Sequence, residues 1–145
     1  RVVAELGDIR DAIKATLKAS AVDGTLRFQG VQVYARMVGQ QQLPSIWVMG
    51  PEGVEYHVTS HEGSKWTLRL QGFASAGPDS ESAQKQVDQW LSDSGLHSLK
   101  EALEEDVSLG GVVEDTTVVT SEGYALYVVS GNIVLGCDWL VDIWA

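Results

Sequence analysis

Two histidines and a carboxylate lie close together near the middle of the chain. His57 and His61 are four residues apart, and Glu62 follows the second. Two imidazoles at this spacing, with a carboxylate, can bind zinc when they lie on one face of a helix. Here they lie at the end of an alternating strand and in a turn, Glu62-Gly63-Ser64, so their side chains need not converge. We therefore expect solvated loop histidines rather than a metal site.

The densest group of carboxylates comes later, at Glu101, Glu104, Glu105 and Asp106. Paired carboxylates can perform acid–base catalysis when burial separates their pKa values. The surrounding pattern instead predicts a short amphipathic helix whose apolar side is Leu99, Ala102 and Leu103. We expect these carboxylates to face water. Their spacing also matches no calcium-binding loop.

Other signatures of catalysis are missing from the sequence. Gly110-Gly111 is followed by a strand pattern rather than a helix, so it offers no phosphate loop. No Gly-x-Ser-x-Gly nucleophile motif occurs. The single cysteine, Cys137, lies in an apolar strand pattern and is expected to be a buried, inert thiol. We predict a protein that is not an enzyme and has no catalytic residues, cofactor or metal.

The composition is that of one soluble domain spanning residues 1–145. The chain is 44% hydrophobic and carries a formal net charge of −10, from 20 acidic and 10 basic residues. Such a charge disfavours a grip on nucleic acid or on anionic membranes, since both need clustered Lys and Arg. No apolar run approaches the ~18 residues of a membrane span, and early charges leave no signal-peptide core. We expect a soluble, cytoplasmic protein.

The elements that position these residues follow from hydrophobic periodicity. An amphipathic helix is predicted from the apolar stripe Val2, Leu6, Ile9, Ile13 and Leu17. From Leu26 to Val58 the period changes to two, which predicts a strand meander with one apolar face. Within it, Gly50-Pro51-Glu52-Gly53 is predicted as a hairpin turn between two short strands.

The order strand, helix, helix, strand is predicted between Trp66 and Gly111. The first helix has Asp79 or Ser80 as its cap, and Ser98-Leu99-Lys100-Glu101 is a capping box that starts the second. The chain then ends in two strands joined at Gly131-Asn132. Together these elements predict one α+β domain, a twisted, mostly antiparallel sheet with about three helices packed against it.

Two groups of residues are candidates for protein interfaces. On the last strand, Leu140 and Trp144 share a face with Asp138 and Asp142, so this face is either covered by a helix or meets another subunit. The second group is Gln40, Gln41 and Gln42, in a polar loop with few anchors. We expect this loop to be mobile in the free protein and to become ordered on contact.

Taken in order, these elements resemble the tail terminator, or tail-completion, proteins of long-tailed bacteriophages. The resemblance covers essentially the whole chain and is carried by a conjunction of segments: Ile9-Arg10 and Leu17 in the first helix, Leu43-Pro44 before Ile46-Trp47-Val48, Trp66-Thr67-Leu68-Arg69-Leu70, Trp90-Leu91, Ser98-Leu99-Lys100-Glu101-Ala102-Leu103, Asp106 and Leu109-Gly110-Gly111.

That resemblance implies a structural protein of the virion neck. Six copies would form a ring that caps the last ring of the tail tube and ends its polymerisation. The ring would also join the tail to the head-completion connector, with genomic DNA passing through its channel without specific binding. The resemblance implies no catalytic residues, and it implies assembly in the host cytoplasm.

Two alternatives remain open from the sequence. One is another head–tail connector or minor tail protein of similar size. The other, from a different class, is a small cytoplasmic ligand- or metal-binding α+β domain that uses His57 and His61.

Overall fold

In the computed structural model, which describes residues 4–36, 38–56 and 63–145, an amphipathic helix forms early in the chain. This helix, Leu6–Ala19 (α1), buries Ile9, Ala12, Ile13 and Leu17. The predicted stripe is therefore confirmed from Leu6 onward, while Val2 lies outside the described residues. Spacings of three and four residues place these side chains on one face, which packs against the sheet.

Two shorter helices follow, Glu81–Leu91 (α2) and Leu99–Glu104 (α3). Each begins at a predicted cap, because the Ser80 hydroxyl accepts a hydrogen bond from the Ala83 N–H and the Ser98 hydroxyl from the Glu101 N–H. The reciprocal half of the predicted capping box is wrong, since the Glu101 carboxylate instead accepts the Gly95 N–H. Of the helices in the described part of the chain, none is long and apolar enough to cross a membrane.

The strands form one large sheet and one small hairpin. The hairpin consists of Ala21–Val22 (β1) and Thr25–Leu26 (β2). The sheet contains Gln32–Tyr34 (β3), Ser45–Tyr56 (β4), Ser64–Phe73 (β5), Asp115–Thr120 (β6), Tyr124–Val129 (β7) and Asn132–Trp144 (β8). Its order is β3-β4-β5-β8-β6, and β7 pairs with β8 next to β6. The domain is α+β with a mostly antiparallel sheet, as predicted.

The long strand β8 is the centre of the sheet. It pairs with β5 over nine residues, from Lys65↔Trp144 to Phe73↔Gly136. On its other side, β6 pairs with the second half of β8 and β7 pairs with the first half. Consequently β8 fixes the positions of three other strands.

All three helices pack on one face of this sheet and form the main core with it. Buried side chains of the sheet in this core include Leu68, Leu70, Cys137, Trp139 and Val141. A second, smaller cluster lies on the opposite face and contains Trp47, Phe73, Val129 and Val134. Within the described ranges, one face of the sheet is therefore covered by helices and the other is not; we call the latter the helix-free face.

The predicted hairpin turn at Gly50–53 is wrong, because β4 continues through these residues. The turn-forming residues instead form bulges in the strand. They produce two register shifts against β5, between Val48 and Pro51 and between Pro51 and Gly53. Among the described residues, only β5 pairs with β4 beyond Trp47, so Pro51 lies on a sheet edge, where a missing N–H is tolerated.

The predicted meander is also wrong at β3, which pairs with β4 in parallel. The segment between the two strands is long enough to return the chain to its starting end. The Arg10 guanidinium bridges the two strands from outside the sheet, because it donates to the carbonyl oxygens of Ala35, at 3.1 Å, and Val48, at 2.7 Å. Arg10 lies on α1, so this helix residue links the end of β3 to β4.

Candidate protein-interaction surface

Leu140 and Trp144 lie on the helix-free face of the sheet. The predicted alternation of β8 is confirmed, since Leu135, Cys137, Trp139, Val141 and Ile143 belong to the main core. Leu140 and Trp144 have the opposite orientation and are half-buried. The described helices pack on the other face. The possibility that one of them covers Leu140 and Trp144 is therefore wrong.

Ion pairs surround these two apolar side chains. Arg69, directly across from Leu140 on β5, bonds to the carboxylates of Glu52 and of the buried Asp138. These partners raise the pKa of the Arg69 guanidinium, chiefly through the hydrogen bond to Glu52. The Lys65 ammonium lies 5.5 Å from the centre of the Trp144 ring. Half-buried apolar groups within a polar rim are typical of protein interfaces.

The glutamine loop lies near the far end of the same helix-free face. Its Gln41 side chain donates to the Ser45 hydroxyl at 2.6 Å, and the Gln42 N–H donates to the Tyr34 hydroxyl at 3.0 Å. Gln40 and Gln42 are exposed and Gln41 is half-buried. The loop therefore has two anchors, more than its sequence suggests, while its mobility in solution stays a prediction.

Leu140 and Trp144 are not brought next to this loop. Ser45 pairs with Phe73 at one end of β5, whereas Trp144 pairs with Lys65 at the other end. The predicted interface residues therefore form two separate areas of one face.

A third apolar surface was not predicted from the sequence. It consists of Tyr124, Leu126, Val128 and Ile133 on the β7–β8 hairpin, which are 51%, 59%, 74% and 60% exposed. We call these four residues the hairpin stripe. Both faces of β7 are apolar, so periodicity could not show which side stays exposed. In the folded chain the described helices leave these four side chains uncovered.

The acidic group on α3 does not simply face water, contrary to expectation. Glu101 and Glu105 both bond to the guanidinium of Arg27, which is 1% exposed. Glu104 accepts the Val118 N–H at 2.9 Å. These carboxylates hold elements together, and sequence reasoning missed this because Arg27 lies more than seventy residues away.

The remaining carboxylate of this group, Asp106, organises a turn. It accepts hydrogen bonds from the Ser108 hydroxyl at 2.6 Å and from the Gly110 N–H at 2.9 Å. The Ser108 hydroxyl and then these backbone donors lower the pKa of the Asp106 carboxyl. A hydrogen-bonded carboxylate of this kind stabilises a loop and is not suited to donate a proton near neutral pH.

The predicted histidine pair, His57 and His61, lies outside the described residues. Within the ranges that the structure describes, no group of three or more His, Cys, Asp or Glu side chains is arranged to hold a metal ion. Cys137 is buried as predicted, and this burial raises the pKa of its thiol well above the usual range. A protonated thiol in the core is a poor nucleophile.

The chain matches no protein-family model, and comparison with curated proteins finds no similar sequence. Its function has to be argued from its own surfaces.

Proposed function

We propose that this protein is a tail terminator of a long-tailed bacteriophage. One observation carries the proposal: the apolar side chains of Leu140 and Trp144 stay partly exposed on a sheet face that none of the described helices covers. Contiguous exposed apolar groups mark surfaces that bind other proteins. The chain therefore acts through contacts with partners.

The order of the elements supports this assignment. A helix precedes the strands, the Ser64–Phe73 strand leads into α2 and α3, and strands complete the chain. This is the order on which the resemblance to tail terminators rests. Six copies form a ring that caps the tail tube, ends its polymerisation and joins the tail to the head-completion connector.

The charge of the chain suits a ring through which DNA moves. A net charge of −10 repels phosphate, and this repulsion acts over about 10 Å at moderate salt. DNA can therefore pass through the channel without being held by the protein.

The helix-free face supplies a contact between ring neighbours. A closed ring needs heterologous interfaces, in which two different areas of each copy meet. Leu140, opposite the ion-paired Arg69, and Trp144, whose ring faces the Lys65 ammonium, provide an apolar centre for one of these areas. The glutamine loop, at the other end of this face, contacts the tube protein.

Mass measurement of the purified protein, alone and with tail-tube protein, tests the ring. We expect a species of six times the 15.7 kDa chain mass in at least one of these conditions. Leu140→Asp should abolish this species because it places a charge in the apolar centre. The matched control is Leu26→Asp, at a 42% exposed leucine of the small β1–β2 hairpin, which should leave the ring intact.

A monomer under both conditions would contradict the ring. If that monomer also bound zinc and lost it on His57→Ala, the metal-binding alternative would replace the present proposal.

A further inference from the structure

The strand β7 has one edge on which the described residues place no backbone partner. Its inner edge pairs with β8 along all six residues, from Tyr124↔Cys137 to Val129↔Asn132. Among the described residues, no strand or loop backbone pairs with its outer edge. An open strand edge is a template for another strand.

The hairpin geometry shows which backbone groups lie on that outer edge. The loop between β7 and β8 is Ser130-Gly131, and both residues have positive φ, 53° and 82°. In a two-residue hairpin the flanking residues exchange both hydrogen bonds, so Val129, Tyr127 and Ala125 bond to β8. The N–H and C=O groups of Leu126 and Val128 therefore point outward. These two residues also have the most exposed side chains of the strand.

Two other edges of the sheet, on β4 and β6, are protected, whereas the β7 edge is not. The open part of β4 carries Pro51, two bulges and the acidic residues Glu52 and Glu55. On β6, the Val118 N–H is occupied by the Glu104 carboxylate. Proline, bulges and charges are the features that block edge pairing, and β7 has none of them.

The surroundings of β7 indicate the chemistry of its partner. The hairpin stripe is apolar, and a groove beside Leu126 and Ile133 is lined by residues 77–80. Exposed carboxylates lie at both ends: Asp79 on the rim of this groove, and Asp88 and Glu122 near Tyr124. A second copy of β7 would bring the same carboxylates against each other, whereas a basic segment would pair with them.

We infer that β7 is a strand-addition site for an extended segment of another protein, apolar at alternate positions and carrying Lys or Arg at its ends. Main-chain hydrogen bonds to Leu126 and Val128 hold the added strand, and the hairpin stripe selects its side chains. This inference does not depend on a role in phage tails.

Binding of two labelled peptides to the full chain tests the inference. Both have a core of alternating Val and Thr, and one carries two Lys at each end where the other carries two Glu. By fluorescence polarisation, the Lys-ended peptide should bind at least about tenfold more tightly, and added salt should weaken it.

Two variants test separately how the backbone and the side chain of Val128 contribute to peptide binding. Val128→Pro removes an outward N–H without breaking the ladder to β8, and Val128→Lys places a positive charge in the path of the peptide. Each should weaken binding of the Lys-ended peptide by about tenfold or more. Val119→Lys, at a 54% exposed valine on β6, is the matched control and should bind normally.

Equal binding of the two peptides, or binding that survives both Val128 variants, would overturn the inference. A dimer that fails to bind either peptide and becomes monomeric on Val128→Pro would show that the occupant is a second copy instead. Tail length is measured independently, so failure here leaves the proposed function untouched.

Discussion

Arg27 is the residue through which three distant parts of the chain are connected. Its guanidinium donates to the Ser20 hydroxyl, to the carbonyl oxygens of Gly95 and Leu96, and to Glu101 and Glu105. The side chain is buried, whereas both carboxylates remain partly exposed. A buried charge is tolerated only when such partners satisfy it.

We predict that Arg27→Met lowers the free energy of unfolding by about 3 kcal/mol, because two carbonyls and two carboxylates each lose the guanidinium as a donor. Urea unfolding measures this change. The matched control is Arg36→Met, which breaks the exposed pair with Asp11, at 2.7 Å, and should have a much smaller effect. Equal losses in the two variants would contradict the connecting role of Arg27.

The contribution of Asp106 to the stability of the fold depends on pH. Its folded pKa lies below the usual 3.8, so its contribution to stability is present above 3.8 and is lost as pH falls through the folded pKa. Ser108→Ala should raise the pKa of the Asp106 carboxyl, as measured by NMR titration, and should reduce the loss of stability below pH ~4. Ser121→Ala, which removes another turn hydroxyl that accepts a backbone N–H, should leave the Asp106 titration unchanged.

At the scale of elements, two glycines allow close packing around β8. A Cβ at Gly72 would lie 3.0 Å from the rings of Trp139 and Trp90, so this glycine lets α2 approach the helix-covered face. A Cβ at Gly136 would overlap the carbonyl oxygen of Gly72 and approach the Tyr127 ring to 2.7 Å. At both positions glycine is needed because there is no room for a Cβ, and not because the backbone conformation requires it.

Gly136→Ala is therefore predicted to destabilise the fold by at least about 2 kcal/mol, the usual cost of overpacking. Gly53→Ala is the matched control, because this strand glycine has open space at its Cβ position. Urea unfolding of the two variants provides the comparison. A Gly136→Ala protein as stable as the Gly53→Ala protein would show that β5, β7 and β8 can move apart at little cost.

Elements whose signals are local could be predicted from the sequence. The α1 stripe and the serine caps of α2 and α3 depend on neighbouring residues, and the structure has them. The continuous β4 could not be predicted, since Gly50-Pro51 is a turn signal that only pairing with β5 overrides. The parallel pairing of β3 with β4 likewise has no local signal in the sequence.

The candidate surface could be predicted only in part, for the same reason. The alternation of β8 placed Leu140 and Trp144 on one face, yet whether helices cover that face is a tertiary property. The hairpin stripe was missed because both sides of β7 are apolar. Arg27 was missed because its carboxylates approach it only after folding.

At the scale of the whole molecule, the proposal assigns the glutamine loop to the tube protein. Gln40→Arg combined with Gln42→Arg changes two exposed side chains and keeps the Gln41 bond to Ser45. We expect this variant to fold normally and to lose tube capping, scored by electron microscopy of assembled tubes. Gln89→Arg, on the exposed side of α2, is the control and should cap normally. Normal capping by the double variant would remove the loop from the interface.

The central claim is that this protein ends the growth of a tail tube. The most direct test is the distribution of tail lengths in electron micrographs of phage assembled with and without it. We expect uniform tails when the protein is present and tubes of uncontrolled length, not joined to heads, when it is absent. Tails of normal, uniform length in its absence would contradict the account.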